Sequence, residues 1–416
     1  SGNLNLRLDG GTYTLDQYND AKKTLLSQGD ESAALNFLNA TLQLNDEQNL
    51  VVGATPDNGN VTIEMAPVVV EGDQAPSDAV DAGKEIPSVP DQIVSVVAAD
   101  GSAEDLLPAD TIIVSDSKFT AKGLEIAGTA GAEAVTLKVT GSSDITLTGG
   151  EAGFTGVVAN NDNVATDMVV ENASLTVGLE GNASAQNLTL NEVTVDGGTF
   201  AVAGNGLDTT QVEANKLVTE SGTVAVNNAT LAVENTTVTN GLLNITNTVA
   251  DLGTVQATGG VLFFDPSYGN IRSLKDDQLG SKLLVSDGSV VNVASGLDNL
   301  QELAQKAGFT TTAIGSGKFT LGAGQSMLAV GQPIQLTSTG QIVVDAGVNA
   351  SGNISSNPVS QDAYFGNNSL LVVNGNTVNG TTAAIDLAKT TDKDLYVQNG
   401  AKLLIADAVA GQTYTV

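Results

Sequence analysis

The chain has 416 residues, a formal charge of −31, and neither cysteine nor histidine. Those two absences exclude disulfides, thiolate chemistry and the histidine base of the usual serine hydrolase. The excess of 47 acidic over 16 basic residues argues against nucleic acid or an anionic membrane as partner. Apolar residues make up 41% but aromatics only 4%, so the core must be built from Val, Leu, Ile and Ala.

In chain order, Asn3-Leu4-Asn5-Leu6-Arg7-Leu8 alternates up to Asp9-Gly10-Gly11 and reads as a strand and turn. Thr14 and Gln17 have capping-box spacing, and Leu15, Tyr18, Ala21 and Leu25 form a helical stripe ended by Gly29. Asp30 is expected to start a second short helix carrying Ala33, Ala34, Phe37 and Leu38. Residues 1–70 thus read as a strand with a helical cap over one end of the fold. Residues 71–91, with Pro76, Pro87 and Pro90, read as a linker.

Residues 92–416 read as an array of strands. Its clearest part runs from Val169 to Phe264, where short runs of β-branched residues end at Asn, Gly or Asp. Between Leu217 and Val238 these runs return about every seven residues, the mark of a solenoid. The expected fold is all-β: a parallel β-helix with stacked coils, a small helical N-terminal cap and one side helix. That helix is expected near 296–308, capped by Ser295-Gly296-Leu297-Asp298, with Leu297, Leu300, Leu303, Ala304 and Ala307 on one face. Residues 150–167 have weak periodicity and read as an excursion. No stretch is apolar enough for a transmembrane helix. The start at Ser1-Gly2 fits a mature chain whose signal peptide has been removed.

The second half carries a recognisable pattern. Val261-Leu262-Phe263-Phe264-Asp265-Pro266, Leu283-Leu284-Val285, Gly288-Ser289-Val290 and the side helix ending Ala307-Gly308 resemble the passenger regions of bacterial autotransporters. So do Phe365 to Val373 and Ala401 to Val416. The resemblance covers about residues 170–416. It implies a right-handed β-helix that is secreted or held on the bacterial surface after export across the outer membrane. It implies an adhesin scaffold that meets a surface receptor or glycan, without inserting in the membrane.

No catalytic, cofactor or metal site is expected. The carboxylate pairs Asp276/Asp277 and Asp392/Asp394 are the candidates for the alternative, a carbohydrate-acting β-helix enzyme. Both sit in polar, Lys-bearing segments that read as solvated turns. Ser286-Asp287-Gly288-Ser289 reads as a turn, since no histidine can activate a serine. Gly149-Gly150-Glu151-Ala152-Gly153-Phe154 lacks the Gly and Asp of a calcium-binding repeat, which leaves only incidental Ca²⁺ on acidic turns. Asn-x-Ser/Thr triplets at Asn172, Asn182, Asn187, Asn228, Asn235 and Asn244 have the pattern of glycan acceptors but read as turns, where stacked Asn side chains could form ladders. The strand at Leu4, Leu6 and Leu8, outside the array, is the candidate for adding to another copy's last coil. Such contacts would give head-to-tail filaments.

Overall fold

The structure, a computed structural model, describes residues 5–26, 34–38, 40–44, 48–57, 60–63, 67–71, 89–98, 111–126, 135–149, 158–160, 163–179, 185–380, 383–387, 390 and 394–416. The fold is a parallel β-helix. The chain divides into two compact units, Ser1–Asn191 with Gly197–Ala203, and Glu192–Asp196 with Gly204–Val416.

The first unit opens with Asn5–Asp9, which pairs in parallel with Ala34–Leu38. Thr12–Thr14 pairs in parallel with Thr41–Gln43. Helix α1 (Leu15–Leu26) links the two pairs and buries Leu15 and Tyr18. The capping box forms: Thr14 N–H donates to Gln17 Oε1 at 2.9 Å, and Gln17 N–H to Thr14 Oγ1 at 3.3 Å. The expected second helix is a strand over Ala34–Leu38. Its alternation Ala-Leu-Asn-Phe-Leu sets Leu35 against Leu6 and Phe37 against Leu8, and this pairing outweighs the helical spacing.

Stacked coils follow. Gln48–Asp57 pairs in parallel with Val89–Ala98, and Asn60–Ile63 with Thr111–Ser115. Stacking therefore takes in strands upstream of the expected linker, of which residues 72–88 lie outside the described residues. One inward column is Ile63, Val114, Val139 and Val170, each fully buried. Most of the expected excursion also lies outside the described residues. Its end is a hairpin between Val158–Asn160 and Asn163–Gly178.

The second unit shows the winding most clearly. Val224 pairs with Leu243 and Leu243 with Leu262, a return of 19 residues. Each wind has three short strands, which explains the seven-residue return read from the sequence. One side is Thr223–Asn227, Leu242–Thr246, Val261–Asp265, Lys282–Val285, Gln341–Val344, Ala363–Phe365 and Leu395–Val397. A second is Thr230–Val238, Val249–Asp251, Tyr268–Ile271, Val290–Val293, Ser326–Val330, Ser369–Asn374 and Lys402–Ala406. Corners are tight. Gly260 has φ +75°, and a Cβ there would lie 2.2 Å from Gly241 O on the wind before.

The inward column Val226, Ile245, Phe264, Val285, Val344 and Phe365 is dry. Each such side chain contributes roughly 1.5–3 kcal/mol when fully buried. The outward face is apolar too where it is covered. Helix α2 (Leu300–Lys306) and the hairpin of Thr311–Gly315 with Lys318–Leu321 lie over Met327, Leu370 and Val372. Residues 348–359 cover Phe263, Leu284, Val343 and Tyr364. Burial on both faces explains why Leu283-Leu284-Val285 and Ile342-Val343-Val344 are unbroken apolar runs.

Helix α2 starts later than its sequence suggests. Asn299 is its N-cap and makes no side-chain cap bond. Ser295 instead donates its N–H to Asn292 Oδ1 and accepts from Leu297 N–H. The C-terminus is as expected. Gly308 has φ +88°, and Phe309 N–H reaches Ala304 O at 3.0 Å in a Schellman closure.

Candidate assembly edge

The inward columns run on past the point where they are covered. Ala363 pairs with Leu395, and Phe365 with Val397. Ala363 and Phe365 are buried, yet Leu395 is 49% exposed and Val397 56%. On the second side Leu371 pairs with Leu403, which is 53% exposed. Together with Phe365, Leu371 and Ile385 these residues line an apolar cavity of about 280 Å³. Leu395–Val397 and Lys402–Ala406 each pair along one edge only, among the described residues. Their other edges offer a row of backbone donors and acceptors beside bare aliphatic groups, the arrangement that accepts an added strand. Tyr396 stacks on Tyr364, with centroids 5.1 Å apart. Lys402 Nζ donates to Ala307 O at the end of α2 and lies 5.5 Å from the Phe309 ring centroid.

The proposed donor strand is placed only in part. Leu4 lies outside the described residues. Leu6 and Leu8 fall in Asn5–Asp9, where Leu8 is half-buried. One edge of that strand is occupied by Ala34–Leu38, and no described strand pairs with the other. The strand does lie outside the main array, as the sequence suggests.

Of the carboxylate candidates, Asp276, Asp277 and Asp394 fall among the described residues. Asp276 and Asp277 are exposed, and both have φ +56°. They lie where the register of Ser273–Leu279 slips against Thr254–Ala257. Gln332 holds this bulge: its Oε1 accepts from Leu274 N–H at 2.9 Å, while its Nε2 donates to Leu274 O at 3.0 Å and also to Asp277 Oδ1. Asp392 lies outside the described residues. Asp394 is exposed, and its N–H donates to the Asp362 carboxylate at 3.0 Å. Among the described residues no group of three or more potential metal ligands is found. No helix is long and apolar enough to cross a membrane, again among the described residues.

Two kinds of stacking matter at the corners. One asparagine pair stacks, Asn247 Nδ2 donating to Asn227 Oδ1 at 3.4 Å, while Asn228 Nδ2 donates to the backbone Gly204 O at 3.1 Å. The second kind is a buried hydroxyl column of Thr248, Ser267, Ser289, Ser326 and Ser369, which directly precede register partners. Thr248 N–H donates to Ser267 Oγ at 3.1 Å, and Ser267 N–H to Ser289 Oγ at 3.0 Å. Ser289 closes the turn that begins at Ser286, its N–H reaching Ser286 O at 3.0 Å.

The described residues form a parallel β-helix in which the inward-facing Leu395, Val397 and Leu403 are about half exposed. Comparison with protein-family models, curated proteins and solved structures gives no match.

Proposed function

We propose that the chain is a non-enzymatic structural protein of the autotransporter-passenger kind, secreted or displayed on a bacterial surface after export across the outer membrane. It acts as an adhesin scaffold whose partners are other copies of itself and a surface receptor or glycan. What supports the comparison is that the motifs carrying it, from Val261–Asp265 to Lys402–Ala406, fall in the stacked winds of the second unit.

The observation that carries the assembly part is the exposed coil of Leu395–Val397 and Lys402–Ala406. Its Leu395, Val397 and Leu403 are inward residues left about half exposed among the described residues. We assign the outer edge of Asn5–Asp9 from a second copy as the strand that covers them. The contact joins two different surfaces, and repeated copies give a filament wherever the rotation between them does not close a ring. Copies carrying −31 repel at low salt, so assembly should strengthen as the Debye length falls to about 8 Å at physiological ionic strength.

Sedimentation and electron microscopy of the purified chain test this across a salt series. Linear assemblies that grow with salt are expected. A Leu395→Asp/Leu403→Asp variant and a chain lacking residues 1–12 should both stay monomeric, and the double variant should keep the wild-type circular dichroism spectrum. Wild-type monomers at every salt concentration reject the assembly.

A further inference from the structure

A second concave surface of the second unit differs in chemistry from the bare coil. It is a polar groove of about 480 Å³ on the flank of the winds. Its size lies within the range of about 300–1,000 Å³ usual for small-ligand sites. Its floor is a register column, Asp251, Asn270 and Asn292, one residue from each of three successive winds. In-register residues on neighbouring strands are about 4.7–4.9 Å apart, so the floor repeats polar groups at that spacing. Tyr268 forms one wall and packs against Phe319, with centroids 5.9 Å apart. The tip of the Thr311–Gly315/Lys318–Leu321 hairpin supplies Lys318, and Asp298 lies on the lead-in to α2.

The floor is partly spoken for, and what remains defines the ligand. Asn292 donates to Asn270 Oδ1 at 3.2 Å and accepts from Ser295 N–H at 3.1 Å. It is a positioning residue. Asn270 keeps its amide NH₂, for which no acceptor is found among the described residues. Asp251 Oδ1 accepts from Gly253 N–H at 3.1 Å, which leaves its second oxygen as an acceptor. With the Lys318 ammonium, the groove thus offers both donors and acceptors at fixed spacing. Hydroxyl groups both donate and accept, so a polyol can satisfy all of them at once. The half-buried Leu297 adds an apolar patch for the C–H face of a ring. Two carboxylates against one ammonium disfavour an anion.

We infer that this groove binds a neutral saccharide, with Asp251 and Asn270 engaging ring hydroxyls on the floor and Lys318 at the rim. The inference deepens the adhesin reading and rests on it for its biological setting. It is independent of the assembly edge.

Saturation-transfer NMR with a panel of neutral mono- and disaccharides (glucose, galactose, N-acetylglucosamine, maltose and cellobiose) tests it, with galacturonate as the anionic control. At least one neutral sugar should receive saturation, and galacturonate should receive less. Asn270→Ala and Asp251→Asn should each weaken the best sugar by about tenfold or more, the effect of losing a well-made polar contact. Both variants should keep the wild-type circular dichroism spectrum and the wild-type state of assembly. No saturation for any neutral sugar, saturation unchanged in both variants, or preference for galacturonate would overturn the inference. A chain that assembles but binds no sugar sinks the groove alone; one that binds sugar but stays monomeric sinks the assembly alone.

Discussion

Ser267 shows how much one small side chain does at a corner. Its Oγ accepts from Thr248 N–H at 3.1 Å and donates to Ile245 O at 3.1 Å, with no exposure to water. Ser267→Ala removes both partners and leaves a buried amide without an acceptor. The expected loss is about 1–3 kcal/mol, read by urea denaturation. The sequence does not single out this column, because serine beside Pro266 looks like any turn residue, and only the register aligns it with Thr248 and Ser289. Asp345 is a second case. Burial raises its carboxyl above the ordinary carboxylate range, and the Gly347 N–H at 2.7 Å only partly opposes this. The folded state therefore holds the proton more tightly than the unfolded one. The stabilisation is fully present below the unfolded value of about 3.9 and is lost as pH rises through the folded value. Asparagine keeps the acceptor for Gly347 without a charge. Asp345→Asn should melt close to wild type in acid and above it at neutral pH. A difference that does not change with pH would contradict this assignment.

Elements were legible in proportion to how local their cause is. The capping box of α1 and the glycine closure of α2 involve neighbours in sequence, and both appear as read. Ala34–Leu38 was misread as helix because its cause is the distant Asn5–Asp9. The start of α2 was misread because Ser295 serves Asn292 and Leu297 rather than a helix end. The wind is the element that the seven-residue return revealed only as a third of itself. Its length gives a sharp expectation. Deleting residues 242–260 removes one whole wind and joins Gly241 to Val261, which are already bonded at 2.8 Å. Val224 would then meet Leu262 in place of Leu243, inward group on inward group. Deleting only residues 242–251 breaks that register and turns apolar groups outward. The first variant should show a cooperative melt by circular dichroism. The second should not.

At the scale of the molecule, composition foretold the core better than the surface. A chain with 4% aromatics fills its columns mostly with aliphatics: Phe264 and Phe365 stand in an inward column, while Phe309, Phe319 and Tyr364 lie where inserts cover the outer faces. The bare coil was less legible. Leu395, Val397 and Leu403 look like any other inward residues, and only their uncovered position distinguishes them. The saccharide groove was illegible for a related reason: Asp251, Asn270 and Asn292 are scattered in sequence and meet only through the stacking.

The hydroxyl column also gives the winding a direction of dependence. The amide of Thr248 is met by a group that arrives one turn later, and the amide of Ser267 by one later still. A turn of this kind is finished by its successor. Injury at one level should therefore spread upstream, loosening the turn already laid down before the one that follows.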